Sequence, residues 1–213
     1  MGLKTSVRNM VLGTLMGNHF IANISRRNRS LALTFDDGPD PIYTPMVLDL
    51  LKSNGVNATF FIIGEQAERH PEIVRRILDE GHEIGNHAYR HIRFAALPIR
   101  DQLDEIDRTD RLLSQYDGRH WHWFRPPQGR LPLNLLIALL QRRHKIAMWS
   151  YDSLDYQAKD VASILSQFRS KPARNGEVIL FHDDNDFAVL ALRRLLDEWR
   201  VQGYEFSLLC HSA

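Results

Sequence analysis

Two histidines in this sequence have a spacing that suits a metal ion. His87 and His91 are four residues apart, so a helical turn would place both imidazoles on one side. Ala88 follows the first histidine, at the place where a zincin-type metalloprotease needs glutamate. Ala88 therefore disfavours that protease chemistry. The alternative to a metal site is that the two histidines form a coincidental pair on the surface.

Two adjacent carboxylates could supply the oxygen ligand that such a pair lacks. Asp36 and Asp37 follow the apolar run Leu31–Phe35 and precede Gly38-Pro39, which predicts a strand that ends in a turn. Adjacent carboxylates are costly to place together unless they share a cation or a proton. One of them would complete a His₂Asp site with an open position for water, if the turn re-aims the second side chain. The alternative is a turn in which one aspartate caps the next helix.

Three later strand-like segments also end in polar residues. Each group has an ordinary explanation alone, such as a surface arginine before a rigid turn or an acidic helix start. Together with the two groups above, they mark five strand ends, which is where parallel α/β enzymes place their reacting groups. The three groups are Arg125-Pro126-Pro127-Gln128-Gly129, Asp152-Ser153-Leu154-Asp155-Tyr156 and Leu180-Phe181-His182-Asp183.

Strand-length apolar runs alternate with patterns of 3.6-residue period from residue 30 onward. This order predicts βαβ units and a mostly parallel sheet. About seven units favour a closed or nearly closed β/α barrel, with an open doubly wound sheet as the alternative. The predicted strands are 31–35, 58–64, 83–86, 121–125, 145–151, 177–181 and 204–209. The predicted helices are 44–52, 72–78, 101–113, 133–142, 161–168 and 187–201.

Length and composition fit one globular domain. The chain has 213 residues, of which 44% are hydrophobic and 25% charged, and no repeat or linker-like segment divides it. We expect residues 30–213 to form the domain and residues 1–29 to form an N-terminal arm. Since the arm carries no candidate reacting group, a chain starting near Arg29 should keep its turnover.

Charge and cysteine content exclude several classes of protein. Twenty-seven basic and 26 acidic residues leave a net charge of +1, which gives no electrostatic footprint for nucleic acid. The single cysteine, Cys210, rules out an intrachain disulfide and a cysteine-rich zinc site, and a small apolar role is expected for it.

The sequence gives no clear signal for export or for a membrane. It contains no run of about 18 apolar residues, and the short apolar stretch at residues 10–16 is broken and lacks a clear cleavage site. We therefore expect a cytoplasmic protein without membrane association, with export or membrane attachment as the alternative; the sequence predicts no oligomeric state.

Two other clusters have competing explanations. His120 and His122 would share one strand face and could bind metal, although the flanking tryptophans favour packing or a sugar contact. Asp183, Asp184 and Asp186 resemble an acidic cation loop, but a cap for the helix that starts near residue 187 explains them better.

The residues at the strand ends resemble the polysaccharide deacetylases of carbohydrate esterase family 4, the NodB homology group. The resemblance covers about residues 30–209. Its specific motifs occur in the family's order and approximate spacing. They are Thr34-Phe35-Asp36-Asp37-Gly38-Pro39, Gly81-His82-Glu83-Ile84-Gly85-Asn86-His87 with His91, and Arg125-Pro126-Pro127-x-Gly129.

The resemblance implies a fold and a set of ligands. The fold would be a distorted (β/α)₇ barrel, in agreement with the strand count. Asp37, His87 and His91 would hold a divalent metal, with zinc as the expected ion.

The resemblance also implies catalytic roles. Asp36 would be the base, held by Arg125, and His182 would be the general acid, oriented by Asp155. For the substrate, the backbone N–H of Gln128 would bind the oxyanion, while Tyr156 and Leu180 would line the acetyl pocket.

Three positions depart from the family pattern. Ala88 replaces a serine or threonine, which would loosen the support of the first metal histidine. Gln128 stands where tyrosine is common, but a backbone donor survives that exchange. Tyr156 replaces a tryptophan and should still line the pocket, so an active enzyme is expected.

The implied activity is metal-dependent hydrolysis of the N-acetyl group of amino sugars in an oligo- or polysaccharide, with release of acetate. In that reaction the base deprotonates the attacking water and the acid protonates the departing amine. Two alternatives stay open: a metal-dependent hydrolase of another amide, such as a formamide or a lipid-linked sugar, and a non-catalytic glycan-binding protein.

Overall fold

In the part of the chain that the structure describes, eight strands and seven α-helices build the fold. The computed structural model describes residues 19–26, 28–91 and 93–209, so Cys210 and residues 1–18 of the predicted arm lie outside the described residues. The strands are β1 Phe20–Ile21, β2 Ser30–Asp36, β3 Thr59–Ile62, β4 Glu83–Asn86, β5 Ile146–Ala147, β6 Tyr151–Asp152, β7 Val178–His182 and β8 Glu205–Phe206.

Parallel pairing runs around a barrel. It passes from β2 to β3 and β4, then through Phe124, which bridges Asn86 and Ile146, and through β6 to β7 and back to β2. Two strands complicate this ring, because β1 pairs with β5 and β8 pairs with the start of β2. The result is the distorted α/β barrel of one domain that the sequence predicted, and all the long strands end at the same mouth.

The helices cover the outside of the barrel and match the predicted periodic segments, with ends that differ by a few residues. They are α1 Tyr43–Asn54, α2 Gly64–Arg69, α3 Pro71–Asp79, α4 Ile99–Asp117, α5 Leu133–Gln141, α6 Val161–Ser170 and α7 Asp186–Val201. No predicted segment corresponds to α2, because a six-residue helix with two buried positions has little periodic signal.

Two predicted strands are less regular than expected. The segment predicted as a strand at 121–125 keeps only the bridge at Phe124, although its backbone groups still bond to both neighbours. The segment predicted at 145–151 forms β5 and β6 separately. Its first half, β5, pairs with β1, and its second half, β6, pairs with β7. The strand is interrupted where the partner changes.

The core has an outer layer and an interior. Alternate residues of β2 and β7 point outward toward the helices, where Phe35 stacks on Phe60 and Phe181 with ring centroids 5.0 and 6.1 Å apart. The interior is filled by a smaller group that includes Ala32, Phe61 and Trp123. Close packing of both layers fixes the strand ends, and with them the polar side chains at the mouth.

The end of the predicted arm belongs to the barrel. Phe20, Ala22 and Ile24 are buried among core residues. The N–H of Ile24 donates to the carbonyl of Gly176 at 2.8 Å, and the N–H of Met148 donates to the carbonyl of Ile21 at 2.7 Å. The folded unit therefore begins before residue 30, and the sequence analysis missed β1 because two residues carry no pattern.

No helix in the described part of the chain combines the length and the apolar character that crossing a bilayer requires.

We predict that Ile24→Ala destabilises the protein by about 3 kcal/mol, because it removes a buried side chain from a packed site. Urea unfolding measures the change, and Val201→Ala, at a position 89% exposed, should stay within about 0.5 kcal/mol of the wild type. Equal stability of the two variants would show that the segment around Ile24 is not part of the core. A chain shortened to Arg29 would lose this strand, so its turnover must be compared at equal folded fraction.

Candidate active site and metal centre

The predicted metal ligands meet at the mouth of the barrel. Asp37 Oδ1 lies 3.3 Å from His87 Nε2 and 3.4 Å from His91 Nε2. One ligand atom from each of the three residues lies within 4.8 Å of the others, which is close enough for all three to contact one ion. The structure therefore places Asp37, His87 and His91 together, as their spacing and their positions at strand ends predicted.

The backbone of Asp37 turns the second aspartate toward the site. Asp36 is the last residue of β2 and points into the barrel, so the next side chain would ordinarily point away. Asp37 instead has a φ of 77°, in the left-handed region that non-glycine residues seldom adopt. The aspartate itself re-aims its side chain, a role that the sequence analysis gave to the Gly38-Pro39 turn.

The donor set fits a divalent cation. Asp37 Oδ1 is buried and accepts no hydrogen bond from the described residues, although two imidazole nitrogens lie about one contact distance away. Burial raises the pKa of Asp37, but the two neighbouring histidines lower it more. The pKa of Asp37 is therefore well below its ordinary value. An ionised carboxylate and two imidazoles that converge without hydrogen-bonding one another are ligands that zinc accepts.

The ring of His87 is held in one orientation by the backbone. Its Nδ1 lies 2.7 Å from the carbonyl oxygen of Arg125, which can only accept, so Nδ1 carries the proton. This leaves Nε2 to face the carboxylates. A histidine ligand held in this way has its second nitrogen fixed for the metal.

Asp36 is paired with a buried arginine. Arg125 Nη1 donates to Asp36 Oδ1 at 2.7 Å and to Thr34 Oγ1 at 2.8 Å. The guanidinium is fully buried and lies 3.9 Å from the centre of the Phe61 ring. Burial lowers the pKa of Arg125 and the Asp36 carboxylate opposes this shift. Asp36 Oδ2 remains on the metal side, 3.9 Å from His87 Nε2.

His182 and Asp155 form a second charged pair. Asp155 accepts from His182 twice, with Oδ2 2.7 Å from the backbone nitrogen and Oδ1 2.9 Å from Nδ1. Ser153 Oγ donates to the same carboxylate at 2.8 Å. Burial lowers the pKa of His182, but Asp155, with smaller contributions from Asp36 and Asp37, raises it to about 10. The imidazole therefore carries both protons at neutral pH.

The three residues assigned to the substrate lie around this mouth. Gln128 is exposed in the short turn Pro127–Gly129 with a φ of 56°, and Tyr156 is half exposed with its ring edge-on to His182 at 5.3 Å. Leu180 lies on β7 two residues before His182 and so shares its face, inside the barrel.

The acidic residues expected to cap the last helix, Asp183, Asp184 and Asp186, have a different arrangement. Asn185, and not an aspartate, caps α7 by accepting from the N–H of Ala188 at 2.9 Å. Asp183 is buried beneath Gly38, where an added Cβ would lie 2.4 Å from Asp183 Oδ2. Thr44 donates its hydroxyl to the same carboxylate. Burial raises the pKa of Asp183 to about 7. No sequence pattern indicates this contact, because only the fold brings Gly38 and Asp183 together.

His120 and His122 do not form a metal site. His120 is exposed, whereas His122 is buried and contacts Asp110 at 3.0 Å and Asp117 at 3.2 Å. Among the described residues, the triad of Asp37, His87 and His91 is the one group that meets the distance criterion for an ion.

The chain is similar to known deacetylases over most of its length. It is 35% identical over 188 residues to a peptidoglycan-N-acetylglucosamine deacetylase of Bacillus cereus, covering 86% of this chain and 87% of that protein. It is 33% identical over 192 residues to a chitooligosaccharide deacetylase of Sinorhizobium fredii, covering 82% and 87%. The crystal structure of the peptidoglycan N-acetylglucosamine deacetylase Bc1960 superposes with a TM-score of 0.86 at 32% identity, over 94% of this chain and 95% of that one.

The family described as polysaccharide deacetylase matches residues 23–149, which is more than half of the chain and includes both histidine ligands, both aspartates and Arg125. This match, the relatives and the shared barrel agree with the motif-based expectation. The chain belongs to the polysaccharide deacetylase family, and the two relatives above are named as deacetylases of peptidoglycan N-acetylglucosamine and of chitooligosaccharides.

Proposed function

We propose that this chain removes acetyl groups from N-acetylglucosamine units of an oligo- or polysaccharide, with Asp36 as the base and His182 as the acid. The observation that carries the proposal is the placement of two charged pairs, Arg125–Asp36 and Asp155–His182, at one mouth with the His₂Asp triad. N-acetylglucosamine is the sugar shared by the peptidoglycan and chitooligosaccharide relatives, which supports this choice of unit.

Asp36 is suited to take a proton from the attacking water. Arg125 holds its Oδ1, so the carboxylate cannot rotate freely, and Oδ2 is left for the proton. A base fixed within hydrogen-bond reach of its target contributes about 10²–10⁴-fold to such reactions.

His182 is suited to protonate the departing amine. Its Nδ1–H donates a hydrogen bond to Asp155, so the proton on Nε2 is the one available to the substrate. An amine cannot leave as an anion, and a protonated imidazole at the mouth supplies what it lacks. Asp155 acts as the positioning residue that keeps the ring charged and oriented.

Asp37, His87 and His91 would hold the metal, and zinc is the ion we propose. When bound, such an ion lowers the pKa of water and polarises the acetamide carbonyl. The chain's own contribution to carbonyl activation is the N–H of Gln128, since one good oxyanion donor contributes about 3–4 kcal/mol in other enzymes. Tyr156 and Leu180 would enclose the acetyl methyl group.

A metal-dependent hydrolase of another amide is the second candidate. The product separates the two: incubation with a chitin oligomer should release acetate, and a formylated sugar should release little formate. Release of formate alone would contradict the proposal, and absence of both products from folded, metal-loaded protein would favour a non-catalytic glycan-binding role.

The two neighbouring aspartates should respond differently to substitution. Asp37→Ala removes a ligand and should lower the zinc content, and excess zinc should restore part of its activity. Asp36→Asn should retain the metal while its turnover falls by about 10²–10⁴-fold. It should also lose stability, because the amide leaves Arg125 buried without a counter-charge.

Metal content, deacetylation rate and thermal unfolding of both purified variants test this assignment. If Asp36→Asn loses the metal while Asp37→Ala keeps it, the two roles are reversed, although the family membership is unaffected.

Removal of the metal should abolish turnover without unfolding the barrel, because the ligands lie at the mouth and the apolar layers lie elsewhere. Chelation followed by dialysis, with circular dichroism and acetate release measured before and after zinc is returned, tests this. Full activity in protein shown by elemental analysis to be metal-free would contradict the mechanism.

The alkaline limit of activity should depend on Asp155. His182 acts as an acid below its pKa, so activity falls as pH rises through that value. Asp155→Asn removes the negative charge that raises this pKa, so the alkaline limb of the kcat/KM profile should move to lower pH by about one unit or more.

Asp184→Asn is the matched control for this shift, since it removes an exposed carboxylate two residues from His182. Its profile should overlay that of the wild type. An unchanged alkaline limb in Asp155→Asn would rule out His182 as the acid whose pKa Asp155 sets.

A further inference from the structure

A second polar cluster lies behind the metal ligands, on the side of α4. Asp110, on α4, is buried and is contacted by two histidine rings from other segments. His122 Nδ1 lies 3.0 Å from its Oδ1, and His144 Nε2 lies 2.9 Å from its Oδ2. Both rings are also buried, so the cluster replaces water with fixed partners.

Asn86 connects this cluster to the metal-binding turn. Its Nδ2 donates to Asp110 Oδ1 at 2.8 Å and to the carbonyl of Ile106 at 2.9 Å. Burial raises the pKa of Asp110, but His122, His144 and Asn86 lower it to about 2, so its carboxylate only accepts. The amide of Asn86 therefore has one possible orientation, with Oδ1 directed away from α4.

The freed Oδ1 of Asn86 holds the turn between the two histidine ligands. It accepts from the N–H of Ala88 at 2.8 Å. Ala88 has a φ of 63°, a left-handed conformation that costs a non-glycine residue roughly 1–2 kcal/mol. The carbonyls of Ala88 and Tyr89 accept from the N–H groups of Gly64 and Glu65 at 3.0 Å, and Asn86 supplies the side-chain acceptor for the Ala88 N–H.

A second carboxylate of α4 acts on the same turn. Glu105 Oε2 accepts from the backbone N–H of Arg90 at 2.6 Å, and its other oxygen accepts from the Arg90 guanidinium at 2.8 Å. The backbone between His87 and His91 is thus attached to α4 at two points, through Asn86 and through Glu105. These two attachments, together with the backbone bonds from α2, hold the segment that carries both histidines.

We propose that Asp110, His122 and His144 form a positioning cluster that fixes the Asn86 amide and thereby sets the affinity of His87 and His91 for the metal. The inference rests on the proposed metal site and goes beyond it, because none of these residues touches the ion. A purely structural role in the core is the alternative. The two differ in the property that changes: metal affinity in the first case, and stability alone in the second.

His144 offers a pair of variants for the test. His144→Gln places an amide N–H donor at about the position of Nε2. His144→Leu removes the donor and fills the same space with an apolar side chain. Competition with a chelator at neutral pH measures the zinc affinity of the metal-free proteins, and circular dichroism checks that each is folded. We expect His144→Leu to bind zinc about 10-fold more weakly and His144→Gln to stay within about 2-fold of the wild type.

Asp110→Asn tests the centre of the cluster, because an amide cannot accept on both sides. It should also weaken zinc binding by about 10-fold or more, and saturating zinc should restore most of the turnover. Asp107→Asn is the control on the same helix, where the carboxylate is exposed and pairs with Arg142 at 3.0 Å; its zinc affinity should not change.

The outcomes separate the two proposals. Wild-type zinc affinity in both His144→Leu and Asp110→Asn, with or without a lower melting temperature, would overturn the positioning role and leave the proposed metal site intact. Failure of the wild-type protein to bind zinc would overturn both. If Asp110→Asn does not fold, the comparison of His144→Leu with His144→Gln decides the matter alone.

Discussion

A guanidinium group buried from solvent lies beneath the mouth of the barrel. The arrangement of the site depends on how the charge of this guanidinium is compensated. Arg125 is fully buried, and Asp36 is the carboxylate that neutralises it. The backbone carbonyls of Ala147 and Met148 accept from its Nε and Nη2 at 3.3 and 3.2 Å. Removing one partner of such a pair typically costs about 3–5 kcal/mol. The proposed base is therefore also a counter-ion that the fold requires, which fixes its position more firmly than a loop carboxylate could be fixed.

The same principle separates the proton acceptor from the proton donor. Both pairs consist of one cation and one carboxylate, but the roles are exchanged: in one the carboxylate faces the reaction, and in the other the imidazolium does. Arg125 supports Asp36 from below, while Asp155 supports His182 from the side. Different surroundings thus give two charged pairs opposite proton chemistry at one mouth. Asp37 joins the site only because of its left-handed backbone, which turns its side chain to the same mouth as that of the neighbouring base.

Elements with a long periodic signal could be predicted from the sequence. The helices α1 and α7, for example, match their predicted segments, since their apolar faces recur every three to four residues. Because reacting groups lie at the carboxyl ends of parallel strands, the sequence also predicted that Asp36, His87 and His182 lie at one mouth. The contacts that could not be predicted from the sequence join residues that lie far apart in the chain. Asp110 looks like an ordinary polar position of an amphipathic helix until the fold places Asn86, His122 and His144 around it. The two-residue strand β1 has no period to detect.

The close approach of Gly38 to Asp183 links two positions that lie far apart in the chain. With aspartate at 183, even the smallest side chain at 38 would overlap the carboxylate, so Gly38→Ala requires Asp183 to leave its place against Thr44. A shorter residue at 183 would make room and remove that conflict, with loss of the hydrogen bond from Thr44. Tolerance at position 38 is therefore conditional on the residue at 183. A mutational scan that changes one residue at a time would score Gly38 as irreplaceable, whereas a library that varies both positions would recover sequences in which it is not.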